Sequence, residues 1–284
     1  MIDRKNILIV GLGLLGGSYA QALTKKGYAV RAIDPKKSSL DYALENGFIE
    51  KGSAEVDPAL VGWAELAVFA LYPHVFVEWV REHGHLLAPG TIVTDVTGVK
   101  SAVVYEVQDL LPEGVEFIAA HPMAGREVGG VENSTDAMFR GANYIVTPTE
   151  KNTPEAIALC RALGEELGFA KVRELDPDKH DEMIGFLSQL THCIAISLMT
   201  ANTDPSLADY TGDSFRDLTR IARINEDMWT ELFLLNKKKL VAEIDAFSGE
   251  LNRMRTYLND GNTEKMKEMM RVSTERRALF DKKL

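Results

Sequence analysis

The stretch NILIVGLGLLGGSYAQAL, residues 6–23, decides the fold. An apolar run follows Asn6 and ends at a glycine, which is typical of a strand buried on both faces of a parallel sheet. Over residues 16–26 the apolar spacing becomes that of a helix. Between the two stands the pattern G-x-G-x-x-G. In a strand–turn–helix unit, this pattern predicts a loop that binds the pyrophosphate of a dinucleotide.

Each glycine of this pattern has its own physical reason. Gly11 makes the tight turn, Gly13 lets the backbone approach the pyrophosphate, and Gly16 permits close packing of helix on strand. The helix N-terminus adds free N–H groups and positive potential. A glycine-rich turn that binds nothing is the alternative. The predicted cofactor-binding residues are Gly11, Gly13, Leu14, Leu15, Gly16 and Asp34.

Asp34 bears on the choice between NAD and NADP. It ends the second apolar run, residues 29–34. Its carboxylate accepts hydrogen bonds from both ribose hydroxyls of NAD and would repel the 2′-phosphate of NADP. Lys36 and Lys37 follow closely and soften that repulsion, so NADP stays open. The sequence favours NAD.

The rest of the chain divides into two parts by its apolar patterning. Further apolar runs, separated by helical patterns, span 65–71, 91–96, 115–120 and 143–149. This alternation predicts a Rossmann-like α/β fold with a doubly wound parallel sheet. Beyond residue 174 the pattern is helical almost throughout. We therefore expect a dinucleotide-binding domain over 1–174 and an all-helical domain over 175–284, whose last two amphipathic helices break near 259–262.

Composition limits the class of partner. Lys and Arg number 32 and Asp and Glu 42, which gives a net charge of −10 and argues against nucleic acid or an anionic membrane. An acidic substrate would need a few local cations. Cys160 and Cys193 lack CxxC spacing, which is typical of free thiols in a reducing cytosol, so we expect a cytoplasmic protein. No close cluster has the spacing of zinc ligands, so no metal is expected.

His121, in HPMAG, is the histidine whose position suggests chemistry. It stands just past the carboxyl end of a predicted strand, where open α/β sheets place their ligand crevice. Position alone leaves two alternatives, a catalytic residue or the cap of a turn. His83 and His85 lie in the polar stretch REHGH and are expected at the surface. His74 follows a strand and is expected to line the cofactor cleft without doing chemistry.

The helical half contributes a polar stripe and an arginine. Asp181, Gly185, Ser188 and His192 recur at helical spacing, which predicts one polar or small stripe on an apolar helix. Such a stripe needs partners or a cavity, because a buried unsatisfied polar group costs roughly 1–3 kcal/mol. A network between packed helices is the alternative to a binding site. Arg220 is a candidate for bidentate carboxylate recognition, or for ion pairing within its helix.

Together these segments resemble the prephenate dehydrogenase family of tyrosine biosynthesis, over nearly the whole chain. The segments that carry the resemblance are GLGLLGGS at 11–18, DVTGVK at 95–100, HPMAGRE at 121–127, HD and SQLTH within 180–192, and FRDLTRIA followed by DMW within 215–229. The resemblance implies a Rossmann-like domain followed by an all-helical domain that forms a homodimer. It also implies NAD as cofactor and the oxidative decarboxylation of prephenate to 4-hydroxyphenylpyruvate.

The resemblance also implies roles for individual residues. His121 would be the catalytic base that accepts the proton of the substrate's 4-hydroxyl as hydride leaves. Arg220 would bind a substrate carboxylate, and Glu127 would act as a gate. The residues implied to bind substrate are Arg220, His192, Trp229, Glu127, Thr97 and Asp181. Many relatives have a serine that assists the histidine where this chain has Gly98, so Thr97 or a water supplies the hydroxyl, or the contact is absent.

Several alternatives stay open at this point. Within the family, the substrate is prephenate, its amino analogue arogenate, or both. Hydroxyacid dehydrogenases and pyrroline-carboxylate reductases share a two-domain plan, and the former typically use a lysine on a helix. A dinucleotide-sensing protein without enzymatic activity is a further alternative. We expect neither a chorismate mutase segment nor an ACT-type regulatory domain.

Overall fold

The computed structural model describes residues 2–281, so the outer ends of the two predicted domains, residues 1 and 282–284, lie outside the described part. Six parallel strands form the main sheet in the order β3–β2–β1–β4–β5–β6. They are β1 (Asn6–Val10), β2 (Ala29–Ile33), β3 (Lys51–Ser53), β4 (Leu66–Phe69), β5 (Ile92–Asp95) and β6 (Glu116–Phe117). The predicted doubly wound parallel sheet is confirmed. Its order reverses at β1, which pairs with β2 on one side and β4 on the other, the switch point at which such sheets bind ligands.

Both faces of β1 are covered, as its continuous apolar run predicted. Ile7 and Ile9 belong to one apolar cluster, and Leu8 and Val10 belong to a second. Alternate residues of a strand point to opposite faces, so the two clusters are the two layers between sheet and helices. The helices of the α/β part are α1 (Leu14–Thr24), α2 (Lys37–Glu45), α3 (Pro58–Val61), α4 (Pro73–His83), α5 (Val104–Leu110) and α6 (Pro154–Glu166).

A second, smaller sheet was not predicted. It contains β7 (Ala119–Pro122), β8 (Asn143–Thr147) and β9 (Lys171–Glu174), with β7 and β8 antiparallel and β8 and β9 parallel. The expectation that 115–120 and 143–149 extend the parallel sheet was therefore wrong, apart from β6. Where the main sheet ends, the side-chain amides of Gln108 and Asn152 donate to the Phe117 carbonyl, at 3.2 and 2.8 Å.

Every described element after β9 is helical. These elements include α7 (Pro177–Ile184), a π-helical segment (Gly185–Leu190), α8 (Thr191–Thr200), α9 (Asp213–Thr219) and α10 (Glu226–Leu235). Within residues 2–281, one run, Pro177–Thr200, is long and apolar enough by length and composition to cross a membrane. A helix that packs against protein meets the same two criteria.

Residues up to 236 form one compact unit, and the chain from 237 onward forms another. The second unit contains α11 (Lys237–Asn259) and α12 (Thr263–Arg277). The helices break where the NDGN sequence indicated. Gly261 adopts φ +61°, and the Asn262 side chain caps α12 by accepting from the Lys265 N–H.

Candidate active site

The three glycines of the β1–α1 loop differ in their surroundings. Gly11 has φ +95°, and a Cβ there would lie 2.6 Å from the Ala70 carbonyl oxygen. A Cβ at Gly16 would lie 1.8 Å from the Gly11 carbonyl oxygen, so helix and strand pack at a distance that only glycine allows. A Cβ at Gly13 would meet nothing within 4 Å. The open space is therefore at the glycine where the pyrophosphate was predicted to approach, and the loop fits a dinucleotide.

Asp34 lies against this loop. Its Oδ2 accepts from the Leu12 N–H at 2.6 Å, and its Oδ1 accepts from the Lys36 N–H at 2.8 Å. The Lys37 ammonium pairs with Asp41 at 2.9 Å instead of with Asp34. Leu14 and Leu15 are half-buried in the first turn of α1, which contains no acidic residue to oppose the positive helix terminus.

A buried ion pair follows β5. The Lys100 ammonium donates to Asp95 Oδ2 and to the Ala120 carbonyl, each at 2.6 Å, and neither side chain is exposed. Asp95 Oδ1 accepts from the Ala120 N–H at 3.1 Å. Burial lowers the pKa of Lys100, and the Asp95 carboxylate opposes that effect. The pair holds the backbone immediately before His121, and removing one partner would leave a buried charge uncompensated. Sequence reasoning missed this role, although both residues belong to the DVTGVK segment.

Thr97 belongs to the same buried network. Its hydroxyl contacts Asp95, the Val99 carbonyl at 3.0 Å and the Lys100 ammonium at 3.1 Å. The expectation that this hydroxyl replaces the missing serine is therefore not supported, because its hydrogen-bonding capacity is used within the loop. A Cβ at Gly98 would lie 3.5 Å from Leu232, which is ordinary contact, so the site leaves space for a side chain.

His121 lies within β7, whereas the sequence placed it just past the end of a strand of the main sheet. The chain leaves the main sheet at Phe117, and the short second strand then carries the histidine. Its half-buried ring faces His180, with Nδ1 at 2.9 Å from Nε2 of His180. Burial, then the neighbouring His180 and Lys100, hold the pKa of His121 well below its ordinary value. The ring is therefore neutral at pH 7.

His180 is the residue of this site that the sequence reasoning overlooked. It is fully buried, and its Nδ1 lies 2.8 Å from Asp181 Oδ1. Burial lowers the pKa of His180, although Asp181 acts in the opposite direction. The signal that could have identified it was the adjacent HD pair in a buried helix, since a buried histidine needs a partner.

Asp181, which was predicted at the edge of the pocket, is buried against the loop after β5. Asp181 is 2% exposed, and its carboxylate accepts from the N–H groups of Lys100 and Ser101 at 2.8 Å each, besides its contact with His180. Burial opposes ionisation of Asp181, but these donors outweigh it and hold its pKa below the ordinary value. The carboxylate therefore supports His180 and anchors the loop after β5.

The predicted stripe along the helix is also interrupted. The segment Gly185–Leu190 is a π-helix, which changes the angular spacing between Asp181 and His192. Gln189 within it is buried and donates to the Leu232 carbonyl at 2.9 Å. Asn236 donates to Gln189 and to the Asp181 carbonyl, at 2.7 and 2.8 Å. A network between packed helices therefore lies beside the predicted stripe, at Gln189 and Asn236, and uses none of the stripe's own side chains.

Arg220 and Glu127 form an ion pair across the site. Arg220 lies in the turn between α9 and α10, and its side chain is 64% exposed. Glu127 follows His121 in the HPMAGRE segment. The pair joins the loop after the candidate base to the helical part, and the guanidinium keeps further donors for another anion.

His192 and Trp229 stack on one another near the Arg220–Glu127 pair. Their rings stack with centroids 3.6 Å apart at 29°. The His192 Nδ1 lies 2.8 Å from the Ser188 carbonyl, so Nδ1 carries the proton and Nε2 is an acceptor. Burial lowers the pKa of His192, while the charge of Glu127 raises it and that of Arg220 lowers it. His192, Trp229, Glu127 and Arg220 therefore lie close to one another.

Helix α10 covers the carboxyl ends of two central strands. Glu231 accepts from the His74 N–H and contacts its ring Nδ1, both at 2.8 Å, just beyond β4. Asn225 donates to the Tyr72 hydroxyl at 3.3 Å, and Leu232 lies beside Gly98 after β5. Trp229 is on the same helix, so these contacts place it near the ends of β4 and β5.

Among residues 2–281, no three His, Cys, Asp or Glu side chains are grouped as metal ligands, and Cys160 and Cys193 are unpaired. A doubly wound sheet with a dinucleotide loop, next to a neutral histidine and a cation suited to a carboxylate, defines an oxidoreductase that uses a nicotinamide dinucleotide.

Comparison with known proteins identifies the family. Residues 19–173 match "Prephenate dehydrogenase, nucleotide-binding domain", and residues 176–272 match "Prephenate dehydrogenase, dimerization domain". The chain belongs to the prephenate dehydrogenase family. It is therefore an oxidoreductase with NAD as its cofactor, as predicted.

Individual relatives agree with this assignment. The chain is 30% identical over 275 residues to prephenate dehydrogenase of Bacillus subtilis, covering 93% of this chain and 72% of that protein. It is 27% identical over 264 residues to cyclohexadienyl dehydrogenase of Zymomonas mobilis, covering 89% and 88%. The crystal structure of Aquifex aeolicus prephenate dehydrogenase in complex with hydroxyphenyl propionate and NAD+ superimposes with a TM-score of 0.89 at 29% identity, covering 98% of both chains.

Proposed function

We propose that the chain oxidises prephenate with NAD and releases CO₂, giving 4-hydroxyphenylpyruvate for tyrosine biosynthesis. The observation that carries this proposal is His121, a half-buried histidine held by a buried partner and neutral at pH 7. Residues 1–174 bind the dinucleotide, and residues 175–284 complete the substrate site and form the dimer. The two family matches, which meet between residues 173 and 176, support this division.

His121 acts as the general base. Loss of hydride from the carbon that bears the 4-hydroxyl would leave a positive centre. Transfer of the hydroxyl proton to His121 neutralises that charge, because the C–O bond becomes a carbonyl. The ring carboxylate then leaves as CO₂, and its electron pair enters the ring, which becomes aromatic. The proton on His121 returns to the phenolate oxygen, so the balance is prephenate plus NAD⁺ to 4-hydroxyphenylpyruvate, CO₂ and NADH. A neutral histidine suits both transfers.

Bound NAD supplies the hydride acceptor. Gly13 would leave room for its pyrophosphate, and Asp34 would accept from its ribose hydroxyls. Gly11 and Gly16 hold the loop against β1, and Leu14 and Leu15 begin the helix that points toward the phosphates. Together these residues would hold the dinucleotide at the switch point of the sheet.

Three side chains bind the substrate, and a fourth controls its entry. Arg220 binds a carboxylate of prephenate with the guanidinium donors that Glu127 leaves free. Glu127 competes for the same guanidinium, so it gates entry of the substrate. Trp229 packs against the ring, and the Nε2 of His192 accepts a hydrogen bond. Arg220 supplies a positive charge here, so it favours binding of a dianion.

A homodimer completes the proposal. Residues 176–272 match a dimerization domain, and the long apolar helical run leaves large side chains exposed. They are Met183, Phe186, Leu187 and Met199. A second copy of this chain covers them, because such side chains together form the apolar patch of a protein interface. Free cysteines fit a cytoplasmic location.

The test is turnover with purified protein. NADH absorbance is followed with NAD and either prephenate or arogenate, and released CO₂ is measured in the same reaction. We expect NADH and CO₂ in equal amounts, with a higher kcat/KM for prephenate. A higher kcat/KM for arogenate would assign the other substrate of the family, and NADH without CO₂ would contradict the proposed reaction.

A further inference from the structure

Three side chains form a hydrogen-bonded line that ends at the candidate base. Asp181 Oδ1 lies 2.8 Å from His180 Nδ1, and His180 Nε2 lies 2.9 Å from His121 Nδ1. The two rings meet edge to face, with centroids 5.1 Å apart at 60°. His180 is fully buried, whereas His121 is half-buried, so the line runs from the interior toward the site.

The position of each proton follows from the acceptor at the inner end. The carboxylate of Asp181 is ionised, because the N–H groups of Lys100 and Ser101 and the ring of His180 hold its pKa low. A carboxylate can only accept, so His180 carries its proton on Nδ1 and has a lone pair on Nε2. His121 must then donate from Nδ1 to His180. Its own lone pair is left on Nε2, the nitrogen that no described side chain occupies.

We propose that His180 is a positioning residue that fixes the tautomer and orientation of His121, so that Nε2 of His121 faces the substrate as the base. This inference rests on the proposed role of His121. It names a residue that contacts neither substrate nor cofactor and acts through the base. When His121 takes up the substrate proton, its Nδ1–H still donates to His180, and the Asp181 carboxylate at the end of the line stabilises the imidazolium.

The line also explains why Gly98 is tolerated. Thr97 is engaged with Asp95 and Lys100 and supplies no hydroxyl to His121. The Nδ1 of His121 is already satisfied by His180, so the ring is held from its inner side without a serine in the loop.

The tautomer of His121 is measured directly by ¹⁵N NMR of protein labelled with ¹⁵N-histidine, because protonated and unprotonated ring nitrogens have well-separated shifts. The signals of His121 are assigned by their loss in His121→Asn. In the wild-type protein above pH 7, we expect Nδ1 protonated and Nε2 unprotonated. In His180→Phe we expect a mixture of both tautomers and a fall in kcat of about 10²–10³-fold, with the Kd for NAD unchanged.

Two further variants test whether the effect on His121 depends on the acceptor at position 180. His180→Gln keeps a carbonyl acceptor for His121 and is expected to retain the tautomer and most of kcat. His85→Asn removes an exposed histidine and is expected to change neither quantity. An Nε2-protonated His121 in the wild-type protein would overturn the proposal, even if His180→Phe fails to fold, and so would an unchanged tautomer in a folded His180→Phe. Full kcat in His121→Asn would instead refute the role of His121 itself.

Discussion

Gly13→Ala separates binding of the cofactor from stability of the fold. Gly13 has φ −86° and ψ −157°, which alanine adopts without strain, and a Cβ there would meet nothing within 4 Å. The protein without NAD is therefore expected to keep its free energy of unfolding within about 0.5 kcal/mol. The added methyl instead occupies the space of the pyrophosphate. We expect the Kd for NAD to rise at least about tenfold, a loss of at least about 1.4 kcal/mol.

Gly16→Ala is the matched control, because there the clash is with the protein. A Cβ would lie 1.8 Å from the Gly11 carbonyl oxygen and 3.2 Å from the Ala70 Cβ, so helix α1 must move away from β1. Such overpacking typically costs about 1–3 kcal/mol. Thermal unfolding without NAD and fluorescence titration with NAD measure both quantities for each variant. An unchanged Kd in a stably folded Gly13→Ala would refute the assignment of the phosphate site.

Three further predictions concern the cofactor, the substrate and pH. Asp34→Ser should raise kcat/KM with NADP relative to NAD, and an unchanged ratio would locate the preference elsewhere. Arg220→Ala should raise KM for prephenate about 10–150-fold with little change in Tm, since its side chain is 64% exposed, and Arg220→Lys should recover little of the loss. Because the pKa of His121 is below about 6.5, kcat/KM should stay level from pH 8 to 6.5 and decline only below that range. Stability should also decline below pH 6.5, by at most about 1.4 kcal/mol per pH unit for each of His121, His180 and His192, since unfolding lets each take up a proton. Activity that declines already between pH 8 and 7 would contradict the assignment of a neutral base.

The main sheet and the cofactor loop could be predicted because their signals are local. A strand buried on both faces reads as a continuous apolar run, and the three glycines occur within six residues of one another. The second sheet could not be predicted in this way. Apolar runs at 115–120 and 143–149 have strand character, but periodicity does not specify which strand a run will pair with.

The candidate site was predicted residue by residue, and the structure brings together only some of those residues. Arg220, His192 and Trp229 lie in one neighbourhood, as the resemblance implied. Thr97 was assigned to the substrate, but its hydroxyl is engaged within its own loop. Asp181 was also assigned to the substrate, but its carboxylate is buried against the N–H groups of Lys100 and Ser101. Those contacts join the helical part to the loop after β5, at a sequence separation that no local pattern encodes. The contact of His180 with His121 is also long-range, so no local sequence pattern predicts it.

The central claim is that His121 is the base in NAD-dependent oxidation of prephenate. The direct measurement is the rate of NADH formation by wild-type protein and by His121→Asn at saturating prephenate and NAD, together with the Kd for NAD of each. We predict a kcat about 10²–10⁴-fold lower in His121→Asn, with an unchanged Kd for NAD, since the side chain moves a proton and does not hold the cofactor. A kcat reduced by less than about fivefold, in a variant that binds both ligands normally, would contradict the claim.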